Sequence, residues 1–387
     1  MNKKIRVLHI ITRLAGGGAD ENTIYTVQEL NKKRYRVDLM TGIENLDIMI
    51  DNLKLNEDSK LYVIDKMVRN VSPLKDILAL NQIYKIIKMN NYDIVHTHIA
   101  KAGVLGRTAA KLAAVPHIIH SLHGITFPKT IHPFKRIFYL LVERFCALYT
   151  DYFLAVGDDI KEKYIKAKVG KPNQYRVIYS GMDLDKFIRA ANYEQKMINK
   201  IKDEFSIDHD KLIIGCVAAL EKRKGHQYLF KVFKRLKEKH DNIMLLVVGR
   251  GERKEYLSNL ANELGLTKDI VFTGYRNNIE NIFAVIDIKV LTSFWEGLPR
   301  VLIQAAAMKI PIVSFAVEGV SEIVKDGKNG YIIDIYDTKD FYEKLSALIK
   351  DPNLRKIMGE NQVFDIKEKW SYQQMVKKID HFYRQLL

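Results

Sequence analysis

Short β-branched runs alternate with helical patterns along almost the whole chain, and halfway along the series starts again. Strand-like runs fall at 5–11, 35–41, 93–97, 117–122 and 152–156, and then at 212–217, 243–248, 269–272, 286–291 and 312–315. The runs are continuously apolar rather than alternating, so each strand is expected to be buried on both faces of a parallel sheet. The restart implies two domains. Between the series lies 176–206, with the turn Ser180-Gly181-Met182-Asp183 and a polar helix rich in Lys, Asn and Glu. The expected division is 1–180, 181–361 and a final helical segment, 362–387, broken at Lys369-Trp370-Ser371. The fold class is α/β: two doubly wound, Rossmann-like domains facing a cleft, with ligands at the carboxyl ends of the strands.

A length of 387 residues agrees with two domains at about 150 residues each. With 47% hydrophobic and 28% charged residues, disordered and collagen-like chains are excluded. Cys146 and Cys216 are too few for a disulfide framework and fit a reducing compartment. The run 5–11 is broken by Arg6 and His9 and reads as a first strand rather than a signal peptide. The apolar stretch 301–317 contains Gln304, Lys309 and Pro311, so it is no membrane span. A cytoplasmic protein is expected. The net charge is +16, with 30 basic and 19 acidic residues in 1–190 and 32 and 27 in 191–387. Nucleic acid, an anionic membrane surface, a phosphorylated ligand or a simple lysine bias would each produce that excess.

Glycines follow the first strand in Arg13-Leu14-Ala15-Gly16-Gly17-Gly18-Ala19-Asp20. Such a run either makes a tight turn or lets the backbone approach an anion at a helix start. It is not G-x-G-x-x-G, which argues against a dinucleotide site. His96-Thr97-His98 ends a strand, and Lys101-Ala102-Gly103 opens a helix. The two histidines share a face but no third ligand stands nearby, so packing or cleft lining is favoured over a metal. His123-Gly124 ends another strand, as a cleft residue or a packed one. In Glu221-Lys222-Arg223-Lys224-Gly225, cations on a post-strand loop can reach a diphosphate or simply face solvent. In Trp295-Glu296-Gly297-Leu298-Pro299-Arg300, a strand ends and a helix begins near 299–301, where free N–H groups suit a phosphate. Glu296 would be repelled by that phosphate unless bonded to hydroxyls, which points to a sugar. Gln304 falls on a helix face that can reach the same ligand.

These residues together resemble the retaining glycosyltransferases of family 4, which have the GT-B fold. The resemblance spans essentially the whole length and rests on the loop at 17–20, His123-Gly124, Gly181-Met182-Asp183, Lys224-Gly225, Gly274-Tyr275, Glu296-Gly297-Leu298-Pro299, and Glu318-Gly319 with Glu322. It implies an acceptor domain followed by a donor domain, and a C-terminal helix that crosses back to pack on the first. It implies that Glu296, the first Glu of an E-x7-E motif, faces the donor sugar's hydroxyls and that Lys224 neutralises the diphosphate. His123 would lie near the transferred sugar, Gly17 and Gly18 near the donor phosphate or acceptor, and Tyr275 and Arg276 at the base. Gly297, Leu298, Pro299 and Gln304 complete the donor set, with Lys101 and Asp20 on the acceptor side. Two positions depart from the pattern: Gln304 replaces the second Glu, and Ala219 stands where the family has its diphosphate Arg, a place Arg223 can take.

The expected activity is metal-independent transfer, with retention, from a nucleotide-diphosphate sugar to a glycan or lipid-linked acceptor. No cofactor is expected. A non-catalytic nucleotide-sugar-binding or scaffold paralogue is the alternative, motivated by Ala219 and Gln304. No nucleic-acid motif supports nucleic-acid binding. The segment 127–141 mixes bulky apolar residues with cations, which suits an anionic membrane surface or ordinary helix packing.

Overall fold

A computed structural model describes residues 4–14, 16–44, 46, 53–55, 57–128, 131–361 and 365–387. Ala15, Lys129, Thr130 and residues 362–364, which belong to segments singled out above, lie outside the described residues. The chain divides into two compact units, one of 1–182 with 370–387 and one of 183–369.

The first unit holds β1 (Ile5–Ile11), α1 (Gly18–Glu29), β2 (Tyr35–Gly42), β3 (Leu61–Ile64), α2 (Pro73–Asn90), β4 (Ile94–His98), α3 (Ala100–Leu112) and β5 (His117–Leu122). It continues through α4 (Pro133–Ala147), β6 (Tyr152–Ala155), α5 (Asp158–Lys166) and β7 (Tyr175–Val177). The seven strands run parallel in the order β3-β2-β1-β4-β5-β6-β7. Such an order is doubly wound, and its switch point lies between β1 and β4, where chain direction across the sheet reverses. One face is sealed by α1 and by the C-terminal helix Tyr372–Leu386, whose Met375, Val376, Ile379, Phe382 and Tyr383 join the core of Val7, Ile94 and Ile119. Ser371 caps that helix by accepting from the Gln374 N–H. The other face packs on α2 and α3 through Leu8, Ile83 and Ala109. A buried ion pair, Arg107 Nη2 to Glu143 Oε2 at 2.8 Å, joins α3 to α4.

The second unit repeats the plan with β8 (Leu212–Val217), α6 (His226–Lys237), β9 (Ile243–Val248), α7 (Lys254–Glu263) and β10 (Ile270–Gly274). After these come β11 (Ile288–Leu291), α8 (Arg300–Ala307), β12 (Ile312–Phe315) and β13 (Gly330–Ile333). Its six parallel strands are ordered β10-β9-β8-β11-β12-β13, with the switch point between β8 and β11. Every expected strand forms, with ends moved by one or two residues. Three further strands, β3, β7 and β13, were not expected. All three lie at sheet edges and are three or four residues long, too short and too exposed to leave an apolar run.

Candidate active site

In the second unit the switch point gathers the loops after β8 and β11. Gly225 lets them meet: it adopts φ +67°, and a Cβ there would sit 2.1 Å from the Thr292 carbonyl oxygen. The Phe294 N–H donates to the Arg223 carbonyl at 2.9 Å, and the Thr292 hydroxyl to the Lys224 carbonyl at 3.0 Å. This cross-loop lacing fixes Lys224 Nζ 2.5 Å from Glu296 Oε1, with both side chains only 11% exposed. Ser293 donates its hydroxyl to the same oxygen at 2.7 Å. Arg223 Nη1 lies 3.5 Å from Glu296 Oε2, and its Nε donates to Glu221 at 2.7 Å. The shifted guanidinium thus reaches the carboxylate, although half of its bonding is spent on Glu221.

Burial alone would raise the Glu296 pKa. The charges of Lys224 and Arg223 and the hydrogen bonds from Lys224 and Ser293 outweigh it and hold the carboxyl below its usual range. Glu296 is therefore an anion at neutral pH, suited to accept from hydroxyls. Burial also lowers Lys289 of β11 to about 8 and His226 at the start of α6 to about 4. Pro299 precedes the first residue of α8, Gly297 and Leu298 shape the half-buried approach to it, and Gln304 is half-buried within it. The Glu296 N–H donates to Glu318 Oε2 at 3.2 Å, so the 318–322 loop supports the same turn. Tyr275 and Arg276 follow β10, two strands from β8. Arg250 stacks over the exposed Tyr275 ring at 4.9 Å, and Arg276 lies over Phe205 at 4.8 Å.

In the first unit Gly16 adopts φ +81°, so it is this glycine that the turn requires. Gly17 is exposed and precedes α1, Gly18 begins it, and Asp20 accepts from the Gly17 N–H at 2.9 Å as a helix-start carboxylate. Lys101 pairs with Asp76 at 2.6 Å and also donates to the Asn70 carbonyl. Asp20 and Lys101 each have a structural partner.

His123 directly follows β5, half-buried, and its Nε2 lies 3.1 Å from His98 Nδ1. The parallel register places His9 of β1 beside His96 of β4, so a third histidine joins the pair that seemed to lack one. One ring nitrogen from each of His9, His96 and His98 lies within 4.8 Å of the others, a spacing that could hold a metal ion. Spacing within β4 could not reveal His9, because strand pairing brings it there from 87 residues away in sequence.

Two Rossmann-like α/β domains, with a carboxylate-containing loop pair at the second switch point, have the fold seen in GT-B glycosyltransferases. Residues 16–186 match the family model described as Glycosyltransferase Family 4, and 197–363 the one described as Glycosyl transferases group 1, so the chain belongs to the glycosyltransferases. It is 28% identical over 388 residues to an Escherichia coli UDP-Gal:α-D-GlcNAc-diphosphoundecaprenol α-1,3-galactosyltransferase, covering 99% of this chain and 97% of the relative. It is 26% identical to the Staphylococcus aureus capsular polysaccharide biosynthesis glycosyltransferase CapM, covering 89% and 91%. Among solved structures, Anabaena HepE in complex with UDP-glucose matches with a TM-score of 0.82 at 18% identity, covering 98% of this chain and 100% of that one.

Proposed function

We propose that the protein is a retaining, metal-independent glycosyltransferase that moves a sugar from a UDP-sugar, UDP-galactose first among the candidates, to a lipid-linked glycan acceptor. The observation that carries this reading is the Lys224–Glu296–Ser293 group at the switch point, flanked by Arg223. An ionised carboxylate locked by an ammonium can accept from sugar hydroxyls. The ammonium, with Arg223 and the amides at the start of α8, offsets negative charge developing on a leaving diphosphate. Retention by a front-face route needs no enzyme nucleophile: the acceptor hydroxyl attacks the anomeric carbon as the C–O bond to the diphosphate breaks, and the departing phosphate oxygen takes the hydroxyl proton. In this reading Tyr275, Arg276, Gly297, Leu298, Pro299 and Gln304 complete the donor site of the second domain, while the family resemblance assigns His123 of the first domain to the transferred sugar and Gly17 and Gly18 to the donor phosphate or acceptor. The E. coli relative's printed donor and acceptor support the choice of UDP-galactose and a lipid diphosphate.

The acceptor's lipid gives the helix α4 a role. Phe134, Ile137, Phe138, Leu141 and Phe145 form an exposed apolar stripe along it, accompanied by Lys135, Arg136 and Arg144. That composition suits the interface of an anionic membrane. Among the described residues no helix is long and apolar enough to cross a membrane, so attachment would be peripheral, at the cytoplasmic face.

A thermal-shift panel of UDP-, GDP-, ADP- and dTDP-sugars tests the reading. A donor at about 100 times its Kd stabilises by about 2.7 kcal/mol, and UDP-galactose is expected to give the largest shift, followed by an α-linked product detected by NMR. No shift with any nucleotide sugar, or a β-linked product, would overturn it.

A further inference from the structure

Three aromatic rings of the second unit meet beside the loops that carry Lys224 and Glu296. Phe294 stands two residues before Glu296, Tyr228 four after Lys224, and Tyr336 follows β13. The Phe294 centroid lies 5.5 Å from that of Tyr228 and 5.0 Å from that of Tyr336, and the two tyrosine centroids are 5.3 Å apart. A Cβ on Gly225 would sit 3.2 Å from the Phe294 ring, so the glycine that lets the two loops meet also leaves room for this cluster.

Tyr336 is the unusual member. It is 55% exposed, and its backbone adopts φ +74°, a region that glycine enters freely and tyrosine only at a cost. The turn alone would be better served by glycine. What tyrosine adds is a ring laid against Phe294 and Tyr228 and still largely open to solvent, and strain of this kind gathers where ligands are held. The other exposed tyrosines of the unit, Tyr256 and Tyr275, carry Arg253 and Arg250 over their rings at 4.0 and 4.9 Å. Among the described residues no cation stands over Tyr336, and neither its hydroxyl nor that of Tyr228 has a hydrogen-bond partner.

An open aromatic ring presents a negative face that attracts polarised C–H groups. The nearest charges in the chain, Asp334 and Asp337, are both exposed and disfavour a phosphate or an anionic lipid on that ring. Their oxygens and the two phenol hydroxyls suit the hydroxyls of a polyol. A neutral pyranose offers both features, a C–H face and a rim of hydroxyls. We propose that Tyr336, with Phe294 and Tyr228, forms a second carbohydrate-binding site, on which a pyranose ring of a neutral glycan stacks. The choice of a glycan rests on the chain's membership of the glycosyltransferases and on the charges beside the ring, not on the donor, linkage or stereochemistry proposed above. Tyr275 follows β10 at one edge of the sheet and Tyr336 follows β13 at the other, so a nucleotide at Tyr275 leaves the three rings free. A glycan held there stays close to Glu296, at a raised effective concentration.

Saturation-transfer NMR of the full chain with cellobiose, N,N′-diacetylchitobiose and β-1,4-galactobiose at millimolar concentration tests the site. Saturation of the ring C–H protons of at least one disaccharide is expected, unchanged by added UDP. Tyr336→Gly and Tyr336→Asn place residues that tolerate the left-handed backbone, so both variants should fold, and both should lose the saturation. In transfer assays each should raise the KM for a glycan acceptor about three- to tenfold, the scale of one aromatic contact, with kcat and the donor KM unchanged. Saturation of no disaccharide, saturation that survives in both variants, or displacement by UDP would each overturn the site. A dimer in sedimentation velocity that Tyr336→Gly splits would assign the rings to a contact between two copies and overturn it too. Disaccharide binding that depends on Tyr336 in a protein that transfers no sugar would uphold the site and sink the proposed function.

Discussion

Glu296 gathers its neighbours more than they gather it: Lys224, Arg223 and Ser293 all converge on its two oxygens. Replacing it leaves Lys224 half-buried without its counter-charge. Glu296→Ala and Lys224→Ala are each expected to lower kcat about 10²- to 10³-fold, the usual effect of removing one preorganised electrostatic group. Circular dichroism should stay native. Turnover within threefold of wild type for either variant would remove that residue from the site. Both residues were legible in the sequence because they sit on loops directly after strong strand runs, where a doubly wound sheet places its ligands. Asp20 and Lys101 could not be assigned in the same way. A carboxylate at a helix start and a lysine near a helix look the same in sequence whether or not they meet a ligand; in the structure Asp20 meets the Gly17 N–H and Lys101 meets Asp76.

At the scale of elements, α4 is held from within by the Arg107–Glu143 pair and leaves its opposite stripe bare. Phe138, 56% exposed, contributes little to the core but lies centrally in that stripe. Phe138→Glu is expected to abolish co-sedimentation with vesicles containing anionic lipid while shifting Tm by less than about 2 °C, the range of surface substitutions. Salt should weaken wild-type binding. Failure of the wild-type protein to bind such vesicles at low ionic strength would refute the membrane role. The helix was visible in the sequence as an amphipathic segment, yet not which of its faces packs, because that depends on where Glu143 finds Arg107, 36 residues earlier in the chain. The central strands were legible for a simpler reason: burial on both faces demands an unbroken apolar run. Tyr175–Val177, an edge strand with exposed Arg176, is under no such demand.

For the whole molecule, the two units differ in how they carry histidine. The first buries His9, His96, His98 and His120 as neutral rings, all with lowered pKa, while the second buries His226, lowered to about 4. The unfolded chain takes up protons at the ordinary value near 6.5, so below that pH it binds more protons than the folded state. The histidine contribution to stability is therefore full above about 6.5 and falls as the pH drops. His9 alone should remove about 1.4 kcal/mol per pH unit between about 6.5 and 3. The first unit is expected to unfold at a higher pH than the second. The chain has two tryptophans, Trp370 in the first unit and Trp295 in the second, so the fluorescence of W295F and W370F variants follows each unit separately. Coincident acid transitions would contradict the expectation.

The membership of residues 370–387 in the first unit also has a consequence for the order of events during synthesis. The ribosome finishes the seven strands of that unit early, but the helix that seals one face of their sheet emerges last. At about 5 to 20 residues per second, the interval between residues 182 and 370 lasts roughly 10 to 40 s. Throughout it, the apolar surface destined for Met375, Ile379 and Phe382 is open, and His96 and His9 lack Tyr383. The first unit is thus completed only after the second has been made, and a nascent chain stalled in the second unit would present a chaperone with the apolar strip beside α1 uncovered.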